Sequence, residues 1–354
     1  MLSRSLSPCN KGRMGVSSTS FQQKWRSGKT TVIRVPAKME QELLKIARAW
    51  DAAGDLSVRE EDGVWLIETP RKAVKYDTKK HVNVASVPLR SPFRYPGGKT
   101  WLVPQLRSWL LSRKRIAARF IEPFAGGGIA SMTVGFERLA KQVFFAELDE
   151  AVAAVWRVVL NGESDWLAKR ILTFGVTHEN VVRALNAEPA TIREQAFQTI
   201  LRNRMQRGGI MAPGAGLIKG GENGKGLLSR WYAATLAKRI QEINRRKERF
   251  SFVAGDAFAL MSEHAADAEA VFYLDPPYTV AARRLYSNWQ VDHSRLFEVT
   301  ARLKGDFLMS YDDTPEVRAL ATQHGFQVRA IAMKNTHHAE QTELLIGRDL
   351  SWVA

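Results

Sequence analysis

Residues 271–279 read V-F-Y-L-D-P-P-Y-T, a short apolar run that ends in a polar turn. The β-branched and aromatic residues at 271–274 predict a buried strand. Proline cannot donate to a sheet ladder, so this strand must end before the two prolines. Asp275, the Pro276 carbonyl and the Tyr278 ring are therefore expected at the carboxyl end of a strand, where open α/β sheets bind ligands.

This group of side chains suits a nucleobase that has been extruded from a duplex. The carboxylate of Asp275 and the carbonyl of Pro276 can accept both protons of an exocyclic amine, while Tyr278 stacks on the ring. The same residues would also occur in a strand followed by a rigid turn. The rest of the chain decides between these two interpretations.

The composition indicates a large α/β protein with a polyanionic partner. The chain has 354 residues, with 52 Lys and Arg against 36 Asp and Glu, a formal charge of +16. Nucleic acid is the commonest partner for such a surplus. The single cysteine, Cys9, excludes an internal disulfide framework and a cysteine-based zinc site. We find no apolar run long enough to span a membrane and expect a cytoplasmic protein, bacterial or phage-encoded.

The first 85 residues differ from the rest. Residues 1–29 are rich in Ser, Lys and Arg and predict a disordered basic tail. Residues 30–85 predict a small accessory unit and a linker, with a strand at 30–36, a helix at 38–50 and a hairpin over 56–68. A short strand followed by a helix is similar to the ribbon-helix-helix type of DNA-binding module. An accessory unit without DNA contact is the alternative.

Two glycine-containing turns open the large domain. The stretch F-R-Y-P-G-G-K at 93–99 predicts a turn with open backbone amides before a helix at 101–112. A predicted strand at 120–124, F-I-E-P-F, is then followed by A-G-G-G at 125–128, and glycines between a strand and a helix let a ligand approach the backbone. The next predicted strand, at 142–146, ends at Glu147, an acid placed to accept hydrogen bonds from ribose hydroxyls.

A basic, glycine-rich segment interrupts this pattern. Residues 202–249 hold 12 Lys and Arg against three acids, and residues 208–226 hold eight glycines. A long loop inside a compact domain is usually functional or disordered, and a basic one favours contacts with phosphates and grooves. A solvated surface loop is the alternative interpretation.

The α/β pattern resumes at residue 250. We predict strands at 250–254 and 307–310, a helix at 294–303 and a terminal strand pair at 328–333 and 342–346. His337 and His338 lie between the paired strands without a third ligand at suitable spacing. We interpret them as polar loop residues and predict no metal site.

Six features follow one another along the chain: F-R-Y-P-G-G-K, E-P-F-A-G-G-G, A-E-L-D, the basic insertion, G-D-A and D-P-P-Y. In this order they closely resemble the Dam-like DNA adenine-N6 methyltransferases (D12 class, group alpha). The resemblance begins at about residue 91 and extends to the C-terminus. It implies S-adenosylmethionine as methyl donor, double-stranded DNA as substrate and base flipping. It also implies a Rossmann-like α/β fold with a mostly parallel seven-stranded sheet and helices on both faces.

The resemblance also implies roles for individual residues. The catalytic domain would comprise residues 86–190 and 250–354, with a target-recognition insertion at 191–249. The catalytic residues would be Asp275, Pro276 and Tyr278. The cofactor-binding residues would be Tyr95, Lys99, Phe124, Gly126, Gly128, Glu147, Asp256 and Asp275. The expected DNA contacts within the insertion are Arg202, Arg204, Arg207, Lys219, Lys225 and Arg230.

Other enzyme classes fit the residues less well. A cytosine-C5 methyltransferase is excluded, because its cysteine nucleophile must lie near the catalytic strand and Cys9 lies outside the domain. Cytosine-N4 enzymes usually carry Ser in place of Asp275. That activity, an RNA methyltransferase, a protein-glutamine methyltransferase (usually with Asn at this position) and a non-catalytic DNA-binding protein are the alternatives. The recognition sequence and a cognate restriction enzyme as partner stay open, and we expect a monomer or weak dimer.

Overall fold

The computed structural model describes most of the chain. The described residues are Leu44, Ala47, 57–61, 64–68, 87–94, 98–211, 215–221, 224–277, 291–334 and 340–353. Within the predicted helix at 38–50, Leu44 and Ala47 are helical. The predicted strand at 30–36, Tyr95, Tyr278 and the two loop histidines lie outside the described residues.

The chain divides into two compact units, Met1–Arg71 and Lys72–Ala354. The first unit contains strands β1 (Ser57–Glu61) and β2 (Val64–Glu68). They pair antiparallel with Ser57 opposite Glu68, which confirms the predicted hairpin.

The second unit contains a seven-stranded sheet in the order β5-β4-β3-β6-β7-β9-β8. Its strands are β3 (Ala117–Glu122), β4 (Ala140–Glu147), β5 (Phe250–Ala254), β6 (Ala270–Leu274), β7 (Asp306–Asp312), β8 (Gln327–Lys334) and β9 (Glu340–Gly347). Only β9 runs antiparallel to its neighbours, and the other adjacent pairs are parallel. The predicted mostly parallel sheet is confirmed.

Ten helices connect these strands within the described part of the second unit. They are α1 (Val103–Ser112), α2 (Ile129–Glu137), α3 (Glu150–Leu160), α4 (Ser164–Thr173), α5 (His178–Asn186), α6 (Ile192–Met205), α7 (Ala233–Asn244), α8 (Ala257–Glu263), α9 (His293–Arg302) and α10 (Pro315–Gln323). Short 3-10 turns occupy Lys99–Leu102, Arg207–Gly209, Gly226–Arg230 and Lys247–Arg249. No helix in the described residues is both long enough and apolar enough to cross a bilayer.

Two hydrophobic clusters cover the two faces of the sheet. Successive side chains of a strand point to opposite faces. Accordingly, Phe120 belongs to one cluster and Ile121 to the other. Helices α3, α6 and α7 pack in the first cluster, while α8, α9 and α10 pack in the second. The two long helices of the predicted recognition insertion, α6 and α7, therefore share the core of the sheet that they flank.

The strand order creates a switch point beside β3 and β6. From β3 the chain proceeds outward to β4 and β5, whereas from β6 it proceeds in the other direction to β7. Ligands of open α/β sheets bind at the carboxyl ends of the strands beside such a reversal. Glu122 ends β3 and Asp275 directly follows β6, so both lie at this position.

Candidate active site

Asp275 is held by a lysine from the turn that precedes α1. The Lys99 Nζ atom lies 3.0 Å from Asp275 Oδ1, and the Lys99 side chain is only 7% exposed. The strand ends before Pro276, as predicted, and leaves Asp275 half-buried at the edge of the sheet. The structure thus brings together two predicted site residues that are distant in sequence.

A second donor to Asp275 comes from the neighbouring strand. Leu274 of β6 pairs with Met309 of β7, so the next residue, Ser310, lies beside Asp275. Ser310 Oγ donates a hydrogen bond of 2.9 Å to Asp275 Oδ1, the same oxygen that faces Lys99. Sequence reasoning missed Ser310. Its signal was a single polar residue within the otherwise apolar strand F-L-M-S.

Glu343 completes the environment of the lysine. Its Oε2 atom lies 3.9 Å from Lys99 Nζ, and the side chain is 9% exposed. The ammonium of Lys99 therefore lies between two carboxylates, which offsets the cost of burying its charge. Glu343 was also missed, because an acid within the strand T-E-L-L-I looks like an outward-facing residue.

The turn after β3 brings backbone close to the carboxyl edge of the sheet. Gly126 and Gly128 have positive φ angles of 49° and 61°. A Cβ atom at Gly128 would lie 2.8 Å from the Trp156 ring, whose Nε1 donates to the Gly126 carbonyl at 3.1 Å. Both constraints require glycine at 128. Phe124, half-buried at the start of this turn, contacts Phe258 edge-on, with ring centroids 6.4 Å apart.

Glu147 ends β4 at the same edge of the sheet. Its Oε1 accepts a 2.7 Å hydrogen bond from the backbone amide of Asp149. Burial raises the pKa of Glu147 to about 7, although the nearby backbone amides, including that of Gly126, act in the opposite direction. Its neighbour Leu148 is 52% exposed and provides an apolar surface beside this carboxyl group.

Glu122 is a third carboxyl group at this edge, and sequence reasoning missed it. It is 3% exposed, and its Oε2 accepts a 2.7 Å hydrogen bond from the amide of Ser131. Burial raises the pKa of Glu122 to about 8, and the charges of Asp275 and Glu147 add to the rise. Three carboxyl groups therefore lie close enough to interact at the switch point, and that of Glu122 is largely protonated at neutral pH.

Asp256, predicted to lie beside the cofactor adenine, follows β5 at the start of α8. Its Oδ1 accepts hydrogen bonds from Phe258 N at 2.7 Å and Ala259 N at 3.1 Å, so it caps this helix. The side chain is exposed. Contact with a cofactor stays a prediction.

Five of the six predicted DNA contacts reach the surface of the insertion. Arg207, Lys219 and Lys225 are exposed, and Arg202 and Arg230 are half-buried. An isolated bridge between Gln206 and Leu217 closes the loop that carries Arg207.

Arg204 differs from the other five and corrects the prediction. It is 4% exposed and donates to the backbone carbonyl of Pro92. Burial lowers its pKa to about 9, and three neighbouring arginines, Arg239, Arg94 and Arg230, lower it further. Its position three residues after Leu201 places it on the apolar face of α6, which explains why it points inward. This placement does not suit a phosphate contact.

The comparison with protein families is consistent with this geometry. Residues 95–181 and 222–336, more than half of the chain, match the family of D12 class N6 adenine-specific DNA methyltransferases. No curated protein shows significant sequence similarity to the chain.

Several solved methyltransferase structures are similar at low sequence identity. The rRNA methyltransferase AviRa from Streptomyces viridochromogenes is 14% identical over 78% of this chain and 97% of its own, with a TM-score of 0.36. A Pyrococcus horikoshii protein that has been assigned as an RNA methyltransferase is 13% identical over 77% of this chain and 91% of its own, with a TM-score of 0.31. The methyltransferase domain of bacterial CtHen1-CN is 9% identical over 70% of this chain and 94% of its own, with a TM-score of 0.30.

Proposed function

The chain belongs to the D12 class N6 adenine-specific DNA methyltransferase family, and from this premise we propose that Asp275 receives the amine of an adenine flipped out of double-stranded DNA. The enzyme methylates adenine N6 in DNA, and its family implies S-adenosylmethionine as the methyl donor. The observation that carries the proposal is the 3.0 Å contact between Lys99 and Asp275 at the carboxyl end of β6.

Asp275 and Pro276 would activate the amine without a strong base. The lone pair of an adenine amine is delocalised into the ring, so the nitrogen is a poor nucleophile. When the Asp275 carboxylate and the Pro276 carbonyl accept its two N–H bonds, a more tetrahedral nitrogen with an available lone pair is favoured. Tyr278 would stack on the extruded base, an interaction worth about 1–3 kcal/mol.

The residues at the sheet edge fit S-adenosylmethionine. Gly126 and Gly128 would let the cofactor approach the backbone, and Glu147 would accept hydrogen bonds from its ribose hydroxyls. When bound, this cofactor supplies an electrophilic methyl group on a positively charged sulfur. The carboxylate of Asp275 provides negative charge that such a cation favours, and Glu147 adds to it above its pKa of about 7. Tyr95, Phe124 and Asp256 complete the proposed cofactor site.

The insertion at 191–249 would read the DNA. Its surface cations Arg202, Arg207, Lys219, Lys225 and Arg230 would contact phosphates or base edges. The family match skips residues 182–221, which include α6 and most of the glycine-rich stretch at 208–226. We therefore expect a recognition sequence that differs from those of well-known members. A cytoplasmic location and a monomeric or weakly dimeric state belong to the same proposal.

The decisive experiment is incubation of the protein with labelled S-adenosylmethionine and duplex DNA, followed by chromatography of the nucleosides. N6-methyladenine is expected as the product. Asp275→Ala should abolish its formation, because the change removes the acceptor for the amine. It also removes a partner of the buried Lys99 ammonium, so circular dichroism must show that the variant is folded. Substantial turnover by a folded Asp275→Ala protein would overturn the proposed role of Asp275.

The same experiment separates the alternatives. N4-methylcytosine as product, or label transferred to RNA alone, would overturn adenine in DNA as the target. Arg183→Gln serves as a control variant, because Arg183 pairs with Glu179 on the exposed surface of α5 and should leave turnover unchanged. Sequencing of DNA from an expressing host, with detection of methylated bases, would then give the recognition sequence.

A further inference from the structure

Two buried hydroxyl groups form a chain of hydrogen bonds that ends on Asp275. Ser310 in β7 is 0% exposed and Tyr273 in β6 is 1% exposed. Ser310 Oγ donates to Asp275 Oδ1 at 2.9 Å, and the Tyr273 hydroxyl lies 3.0 Å from Ser310 Oγ. A hydroxyl carries one proton, which Ser310 directs at the carboxylate, so Tyr273 must be the donor to Ser310.

The surroundings maintain this direction of donation. Burial, together with the charge of Asp275, raises the pKa of Tyr273 well above its ordinary value, so the phenol keeps its proton. The Tyr273 ring lies in the first hydrophobic cluster. Its hydroxyl therefore cannot turn to water in place of Ser310.

The two donors that converge on Asp275 Oδ1 differ in what they can contribute. Lys99 supplies a positive charge through a flexible four-carbon side chain, whose ammonium does not define a direction. Ser310 has a short side chain on a strand that is hydrogen-bonded on both sides, so its hydroxyl has a fixed position. A donor on a rigid element is what orients a reactive group.

We propose that Ser310, supported by Tyr273, is a positioning residue that holds the Asp275 carboxylate in the orientation required by the amine of the target base. The proposal rests on the proposed function of Asp275 as the acceptor for that amine. Displacement of a reacting group by about 1 Å can lower a rate by a factor of 100. Ser310 would therefore affect the rate of methyl transfer without contact with DNA or cofactor.

The test is steady-state kinetics of Ser310→Ala with duplex DNA and S-adenosylmethionine. We expect kcat to fall by about 10-fold to 100-fold, the range for loss of a hydrogen bond to a charged group. The KM values and the cofactor dissociation constant should change little. Ser310→Thr keeps a hydroxyl and should recover most of kcat. Tyr273→Phe, which removes only the remote donor, should lower kcat by about 2-fold to 10-fold.

Thr300→Val is the matched control for loss of a buried hydroxyl. Thr300 is also 0% exposed, and its hydroxyl donates to the Leu296 carbonyl at 2.7 Å within α9, apart from the site. It should lower stability as Ser310→Ala does, as measured by urea unfolding, with kcat unchanged. Cofactor titration of each variant gives the fraction of folded protein, which corrects each rate.

The outcomes distinguish this proposal from the proposed function. An active Asp275→Ala protein would overturn both. Inactive Asp275→Ala together with a Ser310→Ala kcat within about twofold of the wild type would overturn only the role of Ser310. A fall in kcat that Thr300→Val reproduces, or one accompanied by an equal loss of cofactor binding, would show that Ser310 serves stability alone.

Discussion

Glu147 is a carboxyl group whose charge changes near neutral pH. Its folded pKa of about 7 lies above the ordinary value of 4.5, so the folded state retains a proton that the unfolded state releases. Its contribution to stability is therefore present at low pH and is lost as the pH rises through about 7. In the proposed site, ribose hydroxyls would donate to the charged carboxylate, so the cofactor would prefer the deprotonated form.

A pH-dependent affinity for the cofactor follows. We expect the dissociation constant of S-adenosylhomocysteine to decrease as the pH rises from about 6 to 8, by up to about tenfold per pH unit below the pKa. Glu147→Gln has no titrating group and should bind weakly at every pH. Calorimetry measures the dissociation constants of both proteins across this pH range. The ratio of the two constants at each pH cancels titration of the ligand itself. A constant ratio would show that Glu147 does not contact the ribose.

Among the elements, α6 is hydrogen-bonded to residues 91–94, which precede Lys99 in the chain. The Asn203 amide pairs with the backbone of Arg94, accepting from its N–H at 2.9 Å and donating to its carbonyl at 3.0 Å. It also donates to the Gly209 carbonyl at 3.0 Å. At the other end of the segment, the Ser91 hydroxyl donates to the Gly127 carbonyl. Helix α6 of the predicted insertion and the glycine turn at 126–128 are thus linked through residues 91–94.

Loss of the Asn203 amide should therefore affect stability and the cofactor together. Asn203→Ala leaves buried backbone groups without a partner, which costs about 1–3 kcal/mol of the free energy of unfolding. Cofactor affinity should also fall, because residues 91–94 lead directly to Lys99. Gln198→Ala is the control, since Gln198 lies on the same helix and donates to the Ala184 and Ala187 carbonyls instead. Equal cofactor affinity in the two variants would contradict the link.

The elements themselves could largely be predicted from local patterns. The strand at 250–254 has the predicted bounds, because an apolar run there meets Gly255 and Asp256. Contacts between distant strands could not be predicted in this way. Ser310 lies beside Asp275 only because β7 is the neighbour of β6 in a particular register, and neither the strand order nor the register is a local property.

The burial of Arg204 was also not predicted, although the local sequence carried a signal for it. Leu201 lies four residues after Phe197, and Arg204 lies three residues after Leu201, which is the period of one helix face. The surplus of cations in residues 202–249 favours the interpretation that all of their side chains are exposed. Net charge indicates which kind of partner a surface binds, whereas the periodicity of a helix indicates which of its side chains lie on that surface.

For the whole molecule, the formal charge of +16 makes DNA affinity dependent on salt, and the insertion should carry part of this dependence. Each phosphate contact contributes about 0.9 to the slope of log affinity against log salt concentration, so Lys219→Gln with Lys225→Gln should lower the slope by about 1.8. The loss should be the same for duplexes of any sequence, because phosphates carry no sequence information.

A charge-matched variant separates local contact from net charge. Lys114 and Lys141 are exposed residues outside the insertion, one before β3 and the other near the start of β4. Lys114→Gln with Lys141→Gln removes the same charge and should leave the slope nearly unchanged. Fluorescence anisotropy of labelled duplexes over a range of salt concentrations measures both. A wild-type slope for Lys219→Gln with Lys225→Gln would mean that these two lysines contact no phosphate.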